Sequence, residues 1–155
     1  MIIELPRRFF LVKGVGEGST FLTAFDAALL DSGIGNTNLL KVSSILPPGC
    51  EEVSFIPIPP GSLLPVAYAS LTSDKEGELI SAGVAVAIPS DRTRPGLIME
   101  VAGREGKDKV EKRAVEMVRE GMDKRGEKDF RILSIAVEHR VIRVGAVFAA
   151  VVLWK

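Results

Sequence analysis

A chain of 155 residues fits one domain, 1–155, and leaves little room for a second independent core. Its 46% hydrophobic and 26% charged residues exclude disorder, and 20 basic against 20 acidic residues give no bulk charge to attract nucleic acid or an anionic membrane surface. A lone cysteine, Cys50, excludes an internal disulfide, and a lone histidine, His139, leaves the usual zinc ligand sets incomplete.

The longest apolar runs, such as residues 144–154, are too short for a transmembrane helix. The opening Met1-Ile2-Ile3-Glu4-Leu5-Pro6 lacks the basic head, long apolar middle and small-residue cleavage site of a signal peptide. The expectation is a cytoplasmic protein with no structural metal, no membrane span and no nucleic-acid partner.

In chain order, Phe9-Phe10-Leu11-Val12 reads as a short strand running into Gly14-Val15-Gly16-Glu17-Gly18-Ser19, a glycine-rich loop that opens a helix. The helix is predicted over about 20–31 and is stopped by Gly33 and Gly35. Residues 39–46 form a β-like run ended by Pro47-Pro48-Gly49, and 51–61 read as a proline-rich loop. Strands are predicted at 63–72, 79–88 and 96–102. A second helix at about 107–125 carries Val110, Ala114, Met117, Val118, Gly121 and Met122 on one face and charges on the other.

Strands at 131–143 and 145–154 close the chain. The small residues in Ser81-Ala82-Gly83-Val84-Ala85-Val86-Ala87 and Ala146-Val147-Phe148-Ala149-Ala150 suggest strands covered on both faces. Two helices cannot supply the crossovers of a doubly wound sheet, so a layered α/β sandwich fits six or seven strands better.

Several residues invite a chemical reading. Gly14, Gly16 and Gly18 could turn backbone N–H groups toward a phosphate, but the spacing is not GxGxxG and no GK[ST] follows, so a turn feeding an N-cap at Ser19 or Thr20 is the stronger reading. His139 reads as structural within its strand, and Cys50 as an inert loop thiol with no adjacent cation in sequence. On a helical wheel Phe21, Leu22, Phe25, Ala28 and Leu29 make the apolar stripe of the first helix, with Asp26 at its margin. There Asp26 either caps a local hydrogen bond or awaits a cationic partner. Glu100 shares a strand face with Ile98 and Ala102. It is either a buried general acid or a strand-end residue tipping into solvent. Ser43-Ser44 carries no signal by spacing alone.

The surrounding sequence changes that. Asn36-Thr37-Asn38-Leu39-Leu40-Lys41-Val42-Ser43-Ser44-Ile45-Leu46-Pro47-Pro48 resembles the self-cleavage region of the archaeal pyruvoyl-dependent arginine decarboxylases. Ala24-Phe25-Asp26-Ala27-Ala28-Leu29-Leu30, Gly77-Glu78-Leu79-Ile80-Ser81-Ala82, the run ending at Glu100, Ser134-Ile135-Ala136-Val137-Glu138-His139 and the closing segment follow in the same order. Departures are modest: Val-Ala-Gly after Glu100, Lys-Glu-Gly before Glu78, and a short N-terminal arm.

The resemblance implies a four-layer αββα sandwich, two main helices flanking mostly antiparallel sheets, assembled as a homotrimer with active sites between protomers. It implies autocatalytic serinolysis between Ser43 and Ser44, giving residues 1–43 and 44–155, with Ser44 becoming a covalently bound pyruvoyl group and no PLP or metal needed. Glu100 matches the proton donor and Asp26 the residue that receives the substrate guanidinium. Asn38 matches an active-site residue acting near the scissile carbonyl or on the substrate. The implied reaction is decarboxylation of L-arginine to agmatine and CO2, toward polyamines. Aspartate or another amino acid as substrate, an unprocessed structural or regulatory trimer subunit, and a nucleotide-binding module are the alternatives.

Overall fold

The computed structural model describes residues 4–155; Met1, Ile2 and Ile3, part of the N-terminal segment read above, lie outside the described residues. Two helices, α1 (Phe21–Ser32) and α2 (Lys107–Lys124), enclose two sheets. The first sheet runs β2 (Asn38–Lys41), β5 (Leu63–Ser73), β9 (Gly145–Trp154), β1 (Arg8–Glu17) and β4 (Glu51–Glu52). The second runs β3 (Ile45–Leu46), β7 (Gly96–Gly103), β6 (Leu79–Pro89) and β8 (Phe130–Arg140). Pairing is antiparallel except for the short edge pairs β1–β4 and β2–β5. The αββα sandwich anticipated from the sequence is the architecture observed.

Three apolar layers hold it together. Between the sheets lie Ile80, Val84, Val86, Ile98, Val147, Val151 and their neighbours. α1 covers the outer face of the first sheet through Ala24, Ala28 and Leu29, against Phe10, Val12, Val66 and Phe148. α2 covers the second sheet through Ala114, Val118 and Met122 against Ala85, Ala87 and Leu97. β9 and β6, each buried along nearly its whole length, take the small-residue runs because both faces of each are covered.

The predicted helices stand almost as read. Thr20 caps α1, its hydroxyl accepting from the Thr23 N–H while Thr23 Oγ1 accepts from the Thr20 N–H. Gly33, at φ 90°, ends the helix by donating its N–H to the Leu29 and Leu30 carbonyls.

The glycine-rich loop is different: Gly14 and Gly16 lie inside β1, paired with Phe148 and Ala146 of β9. A Cβ at Gly14 would come 2.2 Å from the Ala28 carbonyl oxygen, and one at Gly16 2.4 Å from the Ala28 nitrogen. The glycines let a helix backbone lie directly on a strand, and the strand geometry removes the phosphate-loop reading. The run at 39–46 is likewise split into β2 and β3, which belong to different sheets, and the proline-rich loop contains β4. The strands therefore number nine among the described residues, three of them of four residues or fewer.

The wheel stripe of α1 is also corrected. Phe21 and Leu22 are 51% and 75% exposed, while Ala24, Ala28, Leu29 and Ser32 are buried. Phe25, Ala28 and Leu29 of the stripe do face the sheet, and Ala24 and Ala28 take the positions over Gly14 and Gly16, where the close approach leaves no room for bulk.

Replacing Gly16 with Ala should therefore push α1 off β1 and cost about 1–3 kcal/mol. Comparing thermal or urea unfolding of Gly16→Ala with that of an open-site control such as Gly106→Ala, where a Cβ meets nothing within 4 Å, checks this.

Candidate active site

The chain crosses from one sheet to the other at Ser43 and Ser44. On the near side the Val42 N–H donates to the Val66 carbonyl of β5 at 3.0 Å, prolonging the β2–β5 ladder. On the far side the Ile98 N–H of β7 donates to the Ser44 carbonyl at 2.7 Å, prolonging the β3–β7 register by one residue. The peptide between the two serines is thus slung between two fixed ladders. No described non-glycine residue has a positive φ and no described peptide is cis.

Glu100 stands two residues along β7 from Ile98. Its cross-strand partner is Val84, and both Val84 and Ile98 belong to the layer between the sheets, so Glu100 faces that layer too. Glu100 Oε2 is buried with no hydrogen-bond partner among the described residues. Burial raises its carboxyl above the ordinary range, and the Lys41 ammonium pulls it partly back. Of the two positions left open by the sequence, the inward-facing one is observed, rather than a strand end tipping into solvent. A carboxyl with an unused oxygen, facing a layer that Ser44 borders, is also the feature expected where a further polar group belongs.

Lys41 gave no signal in the sequence reading. It ends β2, opposite Val66, and its Nζ lies 4.6 Å from the centroid of the Tyr68 ring. Tyr68 in turn packs against Phe148 and Phe25, at 5.2 and 6.2 Å between centroids. A cation in the otherwise apolar Leu39-Leu40-Lys41-Val42 was the available clue.

Asp26 and Asn38 lie elsewhere in the protomer. Asp26 is exposed on the side of α1 turned away from the sheet, between Leu22 and Leu30, which are 75% and 55% exposed. The first sheet stands between it and Glu100. Asn38 opens β2, five positions before Ser43, and its side-chain amide donates to the Gly61 carbonyl at 3.2 Å. At about 3.3 Å per extended residue it sits on the order of 16 Å from the Ser43–Ser44 peptide. One protomer thus brings together Ser43, Ser44, Glu100 and Lys41, and leaves Asp26 and Asn38 outside that group.

The remaining candidates are structural. His139 Nε2 lies 2.6 Å from Glu17 Oε2, and the same carboxylate accepts from the Ile142 and Arg143 N–H groups at 3.1 and 2.9 Å, tying the β8–β9 turn to the end of β1. Cys50 is buried, which pushes its thiol up to about 11, so it stays protonated and inert near neutrality. No group of three or more His, Cys, Asp or Glu among the described residues is placed to hold a metal ion. No described helix is long and apolar enough to cross a membrane.

The chain matches the family model for pyruvoyl-dependent arginine decarboxylase over residues 8–153. Relatives bearing that name include those of Methanocaldococcus jannaschii, 50% identical over 97% of this chain and 92% of its own, and Methanococcus aeolicus, 48% identical over the same shares. That of Pyrococcus abyssi is 41% identical over 96% of each. The chain belongs to the pyruvoyl-dependent arginine decarboxylase family.

The buried carboxyl makes a thermodynamic prediction. Native Glu100 keeps its proton to higher pH than the unfolded chain, whose carboxyl titrates near the ordinary 4.5. The native state therefore binds more protons above that value, and stability falls as pH rises through the window. In an uncleavable Ser44→Ala background, Glu100→Gln should match the parent in Tm at about pH 4 and exceed it at about pH 8. A difference independent of pH would show that the carboxyl is not desolvated.

Proposed function

We propose that this chain decarboxylates L-arginine to agmatine and CO2, a step toward polyamines, after cleaving itself between Ser43 and Ser44. The observation that carries this reading is the buried, unpartnered Glu100 carboxyl facing the layer that Ser44 borders. Ser44 supplies the nucleophilic oxygen for cleavage, and the new N-terminus becomes the pyruvoyl group. Residues 1–43 and 44–155 stay associated, since β1 keeps all ten of its antiparallel pairings with β9.

The pyruvoyl carbonyl supplies the electron sink that decarboxylation requires, without PLP or a metal. Glu100 acts on the proton side. Burial keeps its carboxyl protonated at a pH where an exposed one would have ionised, so it can return a proton to the substrate carbon once CO2 has left. Asp26 receives the guanidinium, whose planar fork suits a carboxylate.

Because Asp26 and Asn38 point away from Ser44 in the same protomer, they serve the site of a neighbouring copy. The apolar residues flanking Asp26 on the outer face of α1 support that face as a subunit contact. Together with the family resemblance this favours a homotrimer with sites between protomers, working in the cytoplasm.

Carbon dioxide release measured across a panel of amino acids tests the substrate. Arginine should lead, with Asp26→Ala raising its KM by about tenfold or more while self-cleavage proceeds normally. Release from aspartate instead would move the assignment to another pyruvoyl decarboxylase. Glu100→Gln should cleave itself yet lose about 10²–10⁴ in kcat; unchanged turnover would remove the proton-donor role.

A further inference from the structure

Lys41 is the one charged side chain on β2, and among the described residues no carboxylate lies within ion-pair distance of it. Its ammonium is parked on an aromatic ring instead. Leu39 and Tyr68 pack on the α1 side of the first sheet and Val42 on the inner side, so the strand alternates and Lys41 faces the α1 side. Carried one step further, the alternation puts Ser43 on the same face as Lys41. Two residues of extended chain span about 6.6 Å, within reach of a lysine side chain.

We propose that Lys41 is the counter-ion of the carboxylate that self-cleavage creates on Ser43. The inference rests on cleavage at Ser43–Ser44. In the first step the Ser44 hydroxyl oxygen bonds to the Ser43 carbonyl carbon, the C–N bond breaks, and the hydroxyl proton passes to the Ser44 nitrogen, leaving an ester. In the second, the Ser44 Cα proton goes to solvent and its electron pair forms the Cα–Cβ double bond. The Cβ–O bond breaks, and the oxygen leaves with the Ser43 acyl group as a carboxylate. Water then replaces the nitrogen of the resulting dehydroalanine, releasing ammonia.

Negative charge thus appears in the second step on a group that was neutral, two residues from an ammonium on the same face of the strand. An ammonium held two residues away by a ring, and not by a competing carboxylate, is free to swing onto it. The ring contact is weaker than a charge-assisted hydrogen bond to a carboxylate, so the exchange is downhill.

The test follows processing of freshly made protein by denaturing gel and intact mass. Lys41→Met should slow conversion at least about tenfold and accumulate the ester, trapped by hydroxylamine as a 1–43 hydroxamate, while Lys41→Arg restores the rate. A merely structural role would not build up the ester. If the wild-type chain itself never cleaves, the reading of the function fails. If it cleaves and Lys41→Met cleaves as fast, only the role of Lys41 fails. Independently of whether that variant folds, crystal structures of cleaved wild type and uncleaved Ser44→Ala should show Nζ on the Ser43 carboxylate in the first and on Tyr68 in the second. Nζ remaining on the ring in both would overturn the assignment.

Discussion

One short piece of backbone belongs to both sheets of this protein. β2 is laid beside β5 in the first sheet, β3 beside β7 in the second, and Ser43 and Ser44 bridge them. Since each flank is fixed by a ladder, the linking peptide has little freedom to escape a neighbouring hydroxyl. The same crossing delivers Ser44 to the border of an apolar layer that the Glu100 carboxyl faces. The placement of the serine pair thus comes from topology rather than from an elaborate loop.

The division of polar groups follows from the layers. A carboxyl between the sheets is forced toward its neutral form, whereas one on the outer face of α1 stays free to meet a cation. The two candidate carboxylates, Glu100 and Asp26, occupy these two environments and are assigned opposite tasks. The first sheet separates them within one protomer. The contrast between the helices agrees: α2 turns a charged face to solvent, while α1 exposes Phe21, Leu22 and Leu30.

Much of this was legible in the sequence where the signal is local. The alternation and small side chains of β6 and β9, the apolar face of α2, and the caps of α1 all follow from neighbouring residues. What failed were features decided by distant ones. Gly14 and Gly16 look like a loop until a helix backbone is laid across them. A wheel counts Leu22 as core although the helix, set down on Gly14 and Gly16, turns it to solvent. The run at 39–46 looks like one strand because nothing within it reveals that its halves pair with different sheets. At the site, the family resemblance pointed to Ser44, Glu100, Asp26 and Asn38, but it did not show which of these share a protomer. Lys41 escaped notice because a lysine on an edge strand is commonplace, and its position over Tyr68 depends on a strand twenty-odd residues away.

The central claim concerns one peptide bond, and intact-mass spectrometry of the purified protein addresses it most directly. Two polypeptides are expected, residues 1–43 and 44–155, the larger beginning with a carbonyl that borohydride reduces. A single unbroken chain that nevertheless decarboxylates an amino acid would contradict it.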